Sequence, residues 1–163
     1  MADESPLPNE EHAADSGQSE ATRCGFVALI GAPNAGKSTL LNQLVGAKIS
    51  IVTHKVQTTR AIMRGIAMEG ASQIIFVDTP GIFRPKRRLD RAMVDTAWGG
   101  AKDADMVALL VDAERGLSGE TAEILAKFAD VRQPKLLVIN KIDTVRRDTL
   151  LEIAAEANAK VGF

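Results

Sequence analysis

The chain of 163 residues is 45% hydrophobic and 25% charged, which is ordinary for a globular protein and predicts one domain. No apolar run approaches the roughly 20 residues that cross a bilayer, and the acidic N-terminus lacks the apolar core of an export signal. The only cysteine, Cys24, can form no internal disulfide, which fits a reducing cytoplasm. We therefore expect neither a membrane-spanning segment nor an internal disulfide within these 163 residues.

The net charge of −1 conceals an uneven distribution. Residues 1–22 hold six acidic side chains and no basic one, so the remainder carries about +5, which is −1 minus −6. We expect residues 1–22 to form a disordered acidic tail, because they have too little apolar surface to offset the entropy lost on ordering. The basic excess of residues 23–163 is too small to predict nucleic-acid binding by itself.

A glycine-rich loop follows the first apolar run, residues 26–30, and precedes apolar residues at helical spacing. Strand, glycine loop and helix are the context of a phosphate-binding loop. Glycines let the backbone approach phosphate oxygens, and amides at the start of the helix add the positive end of its dipole. An ordinary glycine turn is the alternative. The predicted nucleotide-binding residues here are Gly31, Ala32, Pro33, Asn34, Ala35, Gly36, Lys37, Ser38 and Thr39.

Two side chains of this loop predict the chemistry of its ligand. Lys37 would bridge the β- and γ-phosphates of a nucleoside triphosphate, and the Ser38 hydroxyl would be a ligand of Mg²⁺. The helix is expected to end at Gly46. Residues 48–60 then have many hydroxyl and amide side chains and show neither the helical nor the strand periodicity of apolar residues. This is typical of a segment that a ligand orders. His54 lies in this segment, and we assign it no catalytic role.

The rest of the chain predicts a hairpin and then alternating helices and strands. Residues 74–77 are continuously apolar, which predicts a strand buried on both faces. The alternation predicts an α/β fold with a mostly parallel sheet covered by helices on both faces. We expect a hairpin of residues 61–69 and 72–77 that turns at Gly70-Ala71, and then a helix over 89–97 that stops at Gly99-Gly100. A strand over 105–112 should precede a helix that is capped by Ser118 and directs Ile124, Leu125 and Phe128 inward. A strand over 135–139 and a helix over 149–159 complete the expected elements.

Asp78-Thr79-Pro80-Gly81 follows the strand predicted at 72–77, at the edge where open α/β sheets bind ligands. Asp78 suits the acidic partner of Mg²⁺, usually reached through a water molecule. Gly81 would place a backbone amide against the γ-phosphate. A simple turn is the alternative, and the position after a buried strand disfavours it.

Asn140-Lys141-Ile142-Asp143 predicts which base binds. Guanine offers two donors on one edge, and the Asp143 carboxylate can accept both, whereas adenine has neither and would leave it unpaired. Asn140 would brace the site, and the aliphatic stem of Lys141 can lie over the base. Alone, the tetrapeptide is a common loop composition. Its position after a buried strand, third of the motifs along the chain, favours a guanine site.

Residues 31–38, 78–81 and 140–143 resemble the first, third and fourth motifs of translation-factor-class GTPases, and residues 48–60 are similar to switch I of the Era family. The resemblance covers about residues 24–163. It implies a P-loop NTPase fold of the Ras-like kind and hydrolysis of GTP to GDP and phosphate. It also implies Mg²⁺ held by Ser38, Thr59 and Asp78, and catalytic roles for Lys37, Thr59 and Gly81, with Thr58 as the alternative to Thr59.

Two positions bear on how the attacking water is oriented. Ile82 stands where Ras-like GTPases have a glutamine, and its side chain cannot hydrogen-bond to water, so backbone, another residue or an ion must do this. An apolar residue there is typical of the Era-like group. Asn34 matches the asparagine that binds an activating K⁺ in some relatives, and a turn asparagine is the equally weighted alternative.

Era-family proteins continue with a strand ending in a Ser-Ala loop, a final helix and an RNA-binding KH domain. We therefore expect residues 23–163 to be an incomplete G domain at the N-terminus of a longer protein. For that protein the resemblance implies maturation of the 30S subunit through contact with 16S rRNA by the C-terminal domain. It further implies a cytoplasmic monomer, with peripheral association with the inner membrane as an added expectation.

Three alternatives remain from the sequence. A small-molecule kinase using ATP also carries a glycine loop, but Asp143 and the lack of an acceptor site or lid disfavour it. A tRNA-modifying or double-G-domain GTPase is disfavoured by the context of residues 57–60. A non-catalytic interaction module would bind nucleotide poorly.

Overall fold

The computed structural model describes residues 22–50, 62–83, 85 and 88–163. Within them, five strands and four helices follow one another, with a short 3₁₀ turn at Ile142–Thr144 before the last helix. The strands are β1 (Arg23–Gly31), β2 (Met63–Glu69), β3 (Ser72–Asp78), β4 (Met106–Asp112) and β5 (Lys135–Asn140), and the helices are α1 (Lys37–Val45), α2 (Arg88–Lys102), α3 (Glu120–Phe128) and α4 (Arg147–Lys160).

The strands form one sheet in the order β2-β3-β1-β4-β5. β3, β1, β4 and β5 are parallel, and β2 is antiparallel to β3 as its hairpin partner. The carboxyl ends of the four parallel strands therefore meet at one edge of the sheet, where open α/β sheets bind ligands. The predicted α/β fold with a mostly parallel sheet is confirmed.

Helices cover both faces of the sheet, as predicted. On one face, α1 packs Leu41 against Leu29 and Leu110 of the central strands. On the other face, residues of α2, α3 and α4 form a larger core with β1 and β4 that includes the fully buried Phe128. β1 and β4 are thus sandwiched at the centre, which explains why residues 107–111 of β4 are almost completely inaccessible.

The hairpin turns at Gly70 with a φ of 54°, and β2 and β3 pair from Glu69 with Ser72 onward, as predicted. The expectation that residues 74–77 are buried on both faces was wrong for most of them. Val77 is buried, but the preceding three residues are only half-buried. The reason is their place beside the edge strand, because Ile66, which faces Ile75, is itself 51% exposed.

Helix α2 does not stop before Gly99 and Gly100, as was predicted, but continues through both to Lys102. A β-carbon on Gly100 would lie 3.4 Å from Thr79 Cγ2, so the helix approaches the sheet closely there. Packing of Ala97 and Ala101 into the core therefore outweighs the low helix propensity of the two glycines.

Ser118 is not the N-cap of α3. Its hydroxyl instead donates a hydrogen bond to the Arg115 carbonyl, and the capping position falls on Gly119. The predicted inward residues Ile124, Leu125 and Phe128 are buried. In the part of the chain that the structure describes, no helix is both long enough and apolar enough to cross a membrane.

Candidate nucleotide-binding site

The predicted phosphate loop, residues 31–36, connects β1 to α1. Asn34 and Gly36 both adopt left-handed backbone conformations, with φ values of 62° and 99°. The Leu40 amide donates to the Gly36 carbonyl at 2.9 Å, so regular helix hydrogen bonding starts at the end of the loop. The loop therefore presents the N-terminus of α1 to the carboxyl edge of the sheet, which is the geometry that binds phosphate.

Lys37 folds its side chain back over this loop. Its Nζ donates to the Gly31 and Ala32 carbonyls, at 3.0 Å each, and the residue is only 6% exposed. Burial lowers the pKa of Lys37 from 10.5 to about 8, and the charge of Asp78 opposes this shift only in part. A cation is thus held in the concave side of the loop, and it is mainly protonated at neutral pH.

Ser38 and Asp78 meet behind the loop. The Ser38 hydroxyl donates to Asp78 Oδ2 at 2.7 Å, and Asp78 is fully buried at the end of β3. The next residue, Thr79, is also fully buried and donates to the Leu29 carbonyl at 2.7 Å, which ties the end of β3 to β1. Hydroxyl and carboxylate oxygens are hard ligands, so this donor set fits Mg²⁺.

The turn after β3 is joined to the phosphate loop by close packing. A β-carbon on Gly81 would lie 3.0 Å from both N and Cα of Pro33, so a larger residue would displace the loop. The next amide, of Ile82, donates to the Gly31 carbonyl at 3.1 Å. Pro80 is buried in the same turn. The third motif therefore contacts the first directly.

The Ile82 side chain is 6% exposed and belongs to the core on the α2 side of the sheet. It is therefore a core residue as well as one that cannot orient water. The local sequence shows its missing hydrogen-bonding capacity but not this packing role, which depends on α2.

Asn140 connects the predicted base-binding motif to the phosphate loop. Its Nδ2 donates to the Ala35 carbonyl at 2.9 Å, across 105 positions of sequence. A β-carbon on Gly36 would collide with the same amide group. The Asn140 side chain therefore requires a residue without a β-carbon at position 36.

Lys141 has a left-handed backbone, with a φ of 58°, and its Nζ lies 2.6 Å from Asp112 Oδ2. Asp112 ends β4, is 4% exposed and also accepts the Glu114 amide on Oδ1 at 3.1 Å. The sequence reasoning missed Asp112. Its signal was an acidic residue at the end of an apolar strand, the same signal that identified Asp78.

Asp143 lies in the 3₁₀ turn and is exposed. Thr144 stabilises the turn, because its hydroxyl and its amide both donate to the Lys141 carbonyl, at 2.7 Å and 3.1 Å. Among the described residues, no hydrogen bond or ion pair of the Asp143 side chain is found. The carboxylate is therefore available to a ligand beside the braced Asn140.

Asn42 and Ser50 were also missed by the sequence reasoning. Ser50 is 3% exposed, and its hydroxyl donates to Asp78 Oδ2 at 3.2 Å. Asn42 of α1 holds the backbone of Ser50 through its side-chain amide. No motif singled these residues out, because their importance depends on the chain folding back beside α1.

Some predicted residues lie outside the described part of the chain. Thr58, Thr59 and His54 are among them, so their predicted roles stay predictions. Thr39 is described and exposed, and Asn34 is half-buried at the tip of the phosphate loop. Among the described residues, no group of three or more His, Cys, Asp or Glu could hold a metal, so a metal here would depend on hydroxyl and water ligands as well.

Comparison with known proteins identifies the family. The family model described as 50S ribosome-binding GTPase matches residues 26–141. The chain is 68% identical over 149 residues to GTPase Era of Mesorhizobium japonicum, covering 91% of this chain and 48% of that protein. The chain thus spans about half the length of the curated relatives it matches.

Two solved structures share this fold and are also similar to the chain in sequence. One is Era in complex with MgGDPNP and nucleotides 1506–1542 of 16S ribosomal RNA, with a TM-score of 0.81 and 37% identity, covering 87% of this chain and 50% of that one. The other is a variant of Aquifex aeolicus Era bound to GDP and AlF₄⁻, with a TM-score of 0.77 and 39% identity, covering 84% of this chain and 47% of that one. The chain belongs to the family of 50S ribosome-binding GTPases, and its resemblance to the Era group is confirmed.

Proposed function

We propose that this chain binds guanine nucleotides and hydrolyses GTP to GDP and phosphate, as the switch domain of a ribosome-assembly GTPase. The observation that carries the proposal is the hydrogen bond from Asn140 to the Ala35 carbonyl, at 2.9 Å. It joins the base-reading loop to the phosphate loop. In this proposal one nucleotide would contact the exposed carboxylate of Asp143 and the cation of Lys37 at the same time, and the link between the two loops supports it.

The phosphates would be held by the loop amides and by Lys37. Its two carbonyl partners aim Nζ across the loop, so the cation needs little reorganisation to meet the β- and γ-phosphates. Gly81 would offer its amide to the γ-phosphate, and the packing of this residue against Pro33 supports that role. Both groups would stabilise the negative charge that develops during phosphoryl transfer.

Mg²⁺ would be held by Ser38 directly, by Asp78 through water and by Thr59. When bound, the ion would neutralise charge on the β- and γ-phosphates. The 2.7 Å contact between Ser38 and Asp78 supports the first two assignments, because it brings the two oxygens to one place. The part of Thr59 rests on the family resemblance alone.

The attacking water would be oriented without a side chain at position 82, because Ile82 is directed into the core. Backbone groups, or K⁺ held by Asn34, would orient the water instead. The left-handed conformation of Asn34 at the loop tip is compatible with either a turn role or a K⁺ role. Replacing K⁺ by Na⁺ should slow GTP turnover, and equal rates in both salts would remove K⁺ from the proposal.

The proposed cellular role is maturation of the 30S subunit through 16S rRNA, in the cytoplasm and as a monomer. It rests on relatives named Era and on the Era complex with 16S ribosomal RNA. RNA binding would require the half of the relatives' length that this chain does not span, and peripheral association with the inner membrane is part of the same proposal. Filter binding of a 16S rRNA segment to this chain and to a longer one should show binding only for the longer chain.

The central test compares GDP with ADP at equilibrium. We expect GDP binding and at least about 100-fold weaker ADP binding, since adenine has no donor pair for Asp143. Ser38→Ala should abolish GTP hydrolysis while the nucleotide-free melt is retained. Preferential ADP binding would instead favour the ATP-dependent kinase, and binding of neither would favour an interaction module.

A further inference from the structure

A single side chain on α1 determines the path of the backbone just after this helix. Asn42 Oδ1 accepts the amides of Ile49 and Ser50, at 3.0 Å and 2.8 Å, and Asn42 Nδ2 donates to the Ser50 carbonyl at 2.8 Å. The chain turns back at Gly46, whose φ is 72°. Residues 49–50 are therefore attached to the same helix that carries Lys37 and Ser38.

The side chain that Asn42 positions is directed at the metal site. Ser50 is 3% exposed, and its hydroxyl donates to Asp78 Oδ2 at 3.2 Å. The same carboxylate oxygen accepts the Ser38 hydroxyl at 2.7 Å. Three segments, α1, residues 49–50 and the end of β3, thus meet at one oxygen of a fully buried carboxylate.

We propose that Ser50, held in place by Asn42, is a positioning residue for Mg²⁺. Its hydroxyl keeps the Asp78 carboxylate in the orientation that receives a metal-bound water, beside the Ser38 hydroxyl. Groups that hold metal ligands in place typically change metal affinity 10–100-fold when they are removed. The inference rests on the proposed function, because it assumes that the nucleotide binds here together with Mg²⁺.

The competing explanation is purely structural. In this explanation Ser50 serves only the stability of the fold through its hydrogen-bonded hydroxyl. Its removal would then lower stability, and nucleotide binding would weaken equally with and without Mg²⁺. The two explanations differ in one measurable quantity. A positioning role changes the Mg²⁺ requirement and leaves Mg²⁺-independent nucleotide affinity unchanged.

The test uses the whole chain and two titrations. Binding of fluorescent GDP in excess EDTA gives the metal-free affinity, and binding of fluorescent GDPNP over a range of Mg²⁺ concentrations gives the metal requirement. For Ser50→Ala we expect a roughly 10-fold higher half-saturating Mg²⁺ concentration and an EDTA affinity within about 2-fold of the unmodified chain. Ser50→Thr keeps the hydroxyl and should restore most of the Mg²⁺ affinity.

Two further variants complete the design. Asn42→Asp keeps the acceptor for the two amides but loses the donor to the Ser50 carbonyl, so its Mg²⁺ requirement should rise less than that of Ser50→Ala. Ser118→Ala is the matched control, because it removes an exposed serine hydroxyl that bonds only locally. Its Mg²⁺ requirement should not change.

The outcomes separate this inference from the proposed function. An unchanged Mg²⁺ requirement in Ser50→Ala, or equal losses in EDTA and in Mg²⁺, overturns the positioning role while leaving the proposed function intact. If Ser50→Ala fails to fold, a normal Mg²⁺ requirement in Asn42→Asp overturns it instead. If the unmodified chain binds no guanine nucleotide, the proposed function fails, and the inference fails with it.

Discussion

The phosphate half and the base half of the candidate site lie at the same edge of the sheet but satisfy their polar groups differently. In the phosphate half, Lys37, Ser38 and Asp78 are 6%, 7% and 0% exposed and are hydrogen-bonded inside the protein. In the base half, Asn140 and Lys141 are braced by protein partners, but Asp143 is exposed at the end of a short turn.

The difference has a physical consequence for the empty protein. Burying a cation in the phosphate half carries a free-energy penalty until an anion neutralises it, so Lys37 should oppose folding and favour binding. An exposed carboxylate carries no such penalty. Asp143 should therefore control which nucleotide binds without affecting the stability of the nucleotide-free fold.

The largest expected effect is that of Lys37→Met. It should weaken GDP binding by at least about 100-fold, because the proposed cation for the phosphates would be lost. In the absence of nucleotide it should leave the thermal melt unchanged or raise it, since the lowered pKa of Lys37 corresponds to a burial penalty on the order of 3 kcal/mol. Titration with GDP tests the expected loss of affinity, and a nucleotide-free melt tests the expected effect on stability.

The pH dependence of stability sharpens the same prediction. The pKa of Lys37 is about 8 in the folded chain, against 10.5 ordinarily, because burial disfavours the charged form. Between these two pH values the unfolded chain binds more protons than the folded chain, so the free energy of unfolding should rise with pH. Below about 8, Lys37 is charged in both states, and its full destabilising effect remains. Urea unfolding at about pH 7 and about pH 10 should show this gain in the unmodified chain and in the surface control Lys48→Met, but not in Lys37→Met.

Asp143→Asn should have the next largest effect and tests the base half. One acceptor oxygen becomes a donor facing the 2-amino group of guanine, so GDP affinity should fall roughly 10–100-fold. Xanthine has a carbonyl at that position, and the variant should therefore prefer xanthosine diphosphate. The nucleotide-free melt should not move, because Asp143 is exposed. A variant that keeps its guanine preference would contradict the assigned role.

Ile82→Gln tests whether residue 82 belongs to the core or to the phosphate half of the site. Because Ile82 is 6% exposed in the core, a glutamine would bury an amide and lower stability by about 2–4 kcal/mol. It should not accelerate GTP hydrolysis, since the side chain is directed away from the site. Ile82→Val, which keeps the apolar character, should lower stability by only about 0.5–1.5 kcal/mol. Faster turnover in Ile82→Gln would show that this residue leaves the core.

The sequence predicted those parts of the fold and site that depend on local pattern. Continuous apolar runs located the central strands, and Gly46 marked the end of α1 because its backbone must be left-handed. Predictions failed where tertiary packing decides, as at Gly100, which stays helical because α2 packs closely on Thr79. Asn42 and Ser50 were missed because no local period or motif records the contacts made where the chain folds back beside α1. Asp112 had the same local signal as Asp78, but its partner Lys141 lies 29 positions away in sequence.

The smallest expected effect is that of Asp112→Asn. The ion pair with Lys141 is 2.6 Å long, but the Lys141 side chain is 37% exposed, so solvent screens part of the attraction. Asparagine can still accept the Glu114 amide that now bonds to Oδ1, so the loop after β4 should persist. We expect GDP affinity to fall about 3–10-fold, because Lys141 would be held less firmly in its proposed position over the base.

The preference for guanine over xanthine should not change in Asp112→Asn, since Asp143 is untouched. Parallel titrations with GDP and xanthosine diphosphate separate the two effects, and Arg115→Gln serves as the control for charge near Asp112. Arg115 lies 3.9 Å from Asp112 and is 56% exposed, so its removal should change GDP affinity less than Asp112→Asn does. A shift in base preference in Asp112→Asn would show that Lys141 and Asp143 act as one unit, and the base half would then depend on its buried anchor as the phosphate half does.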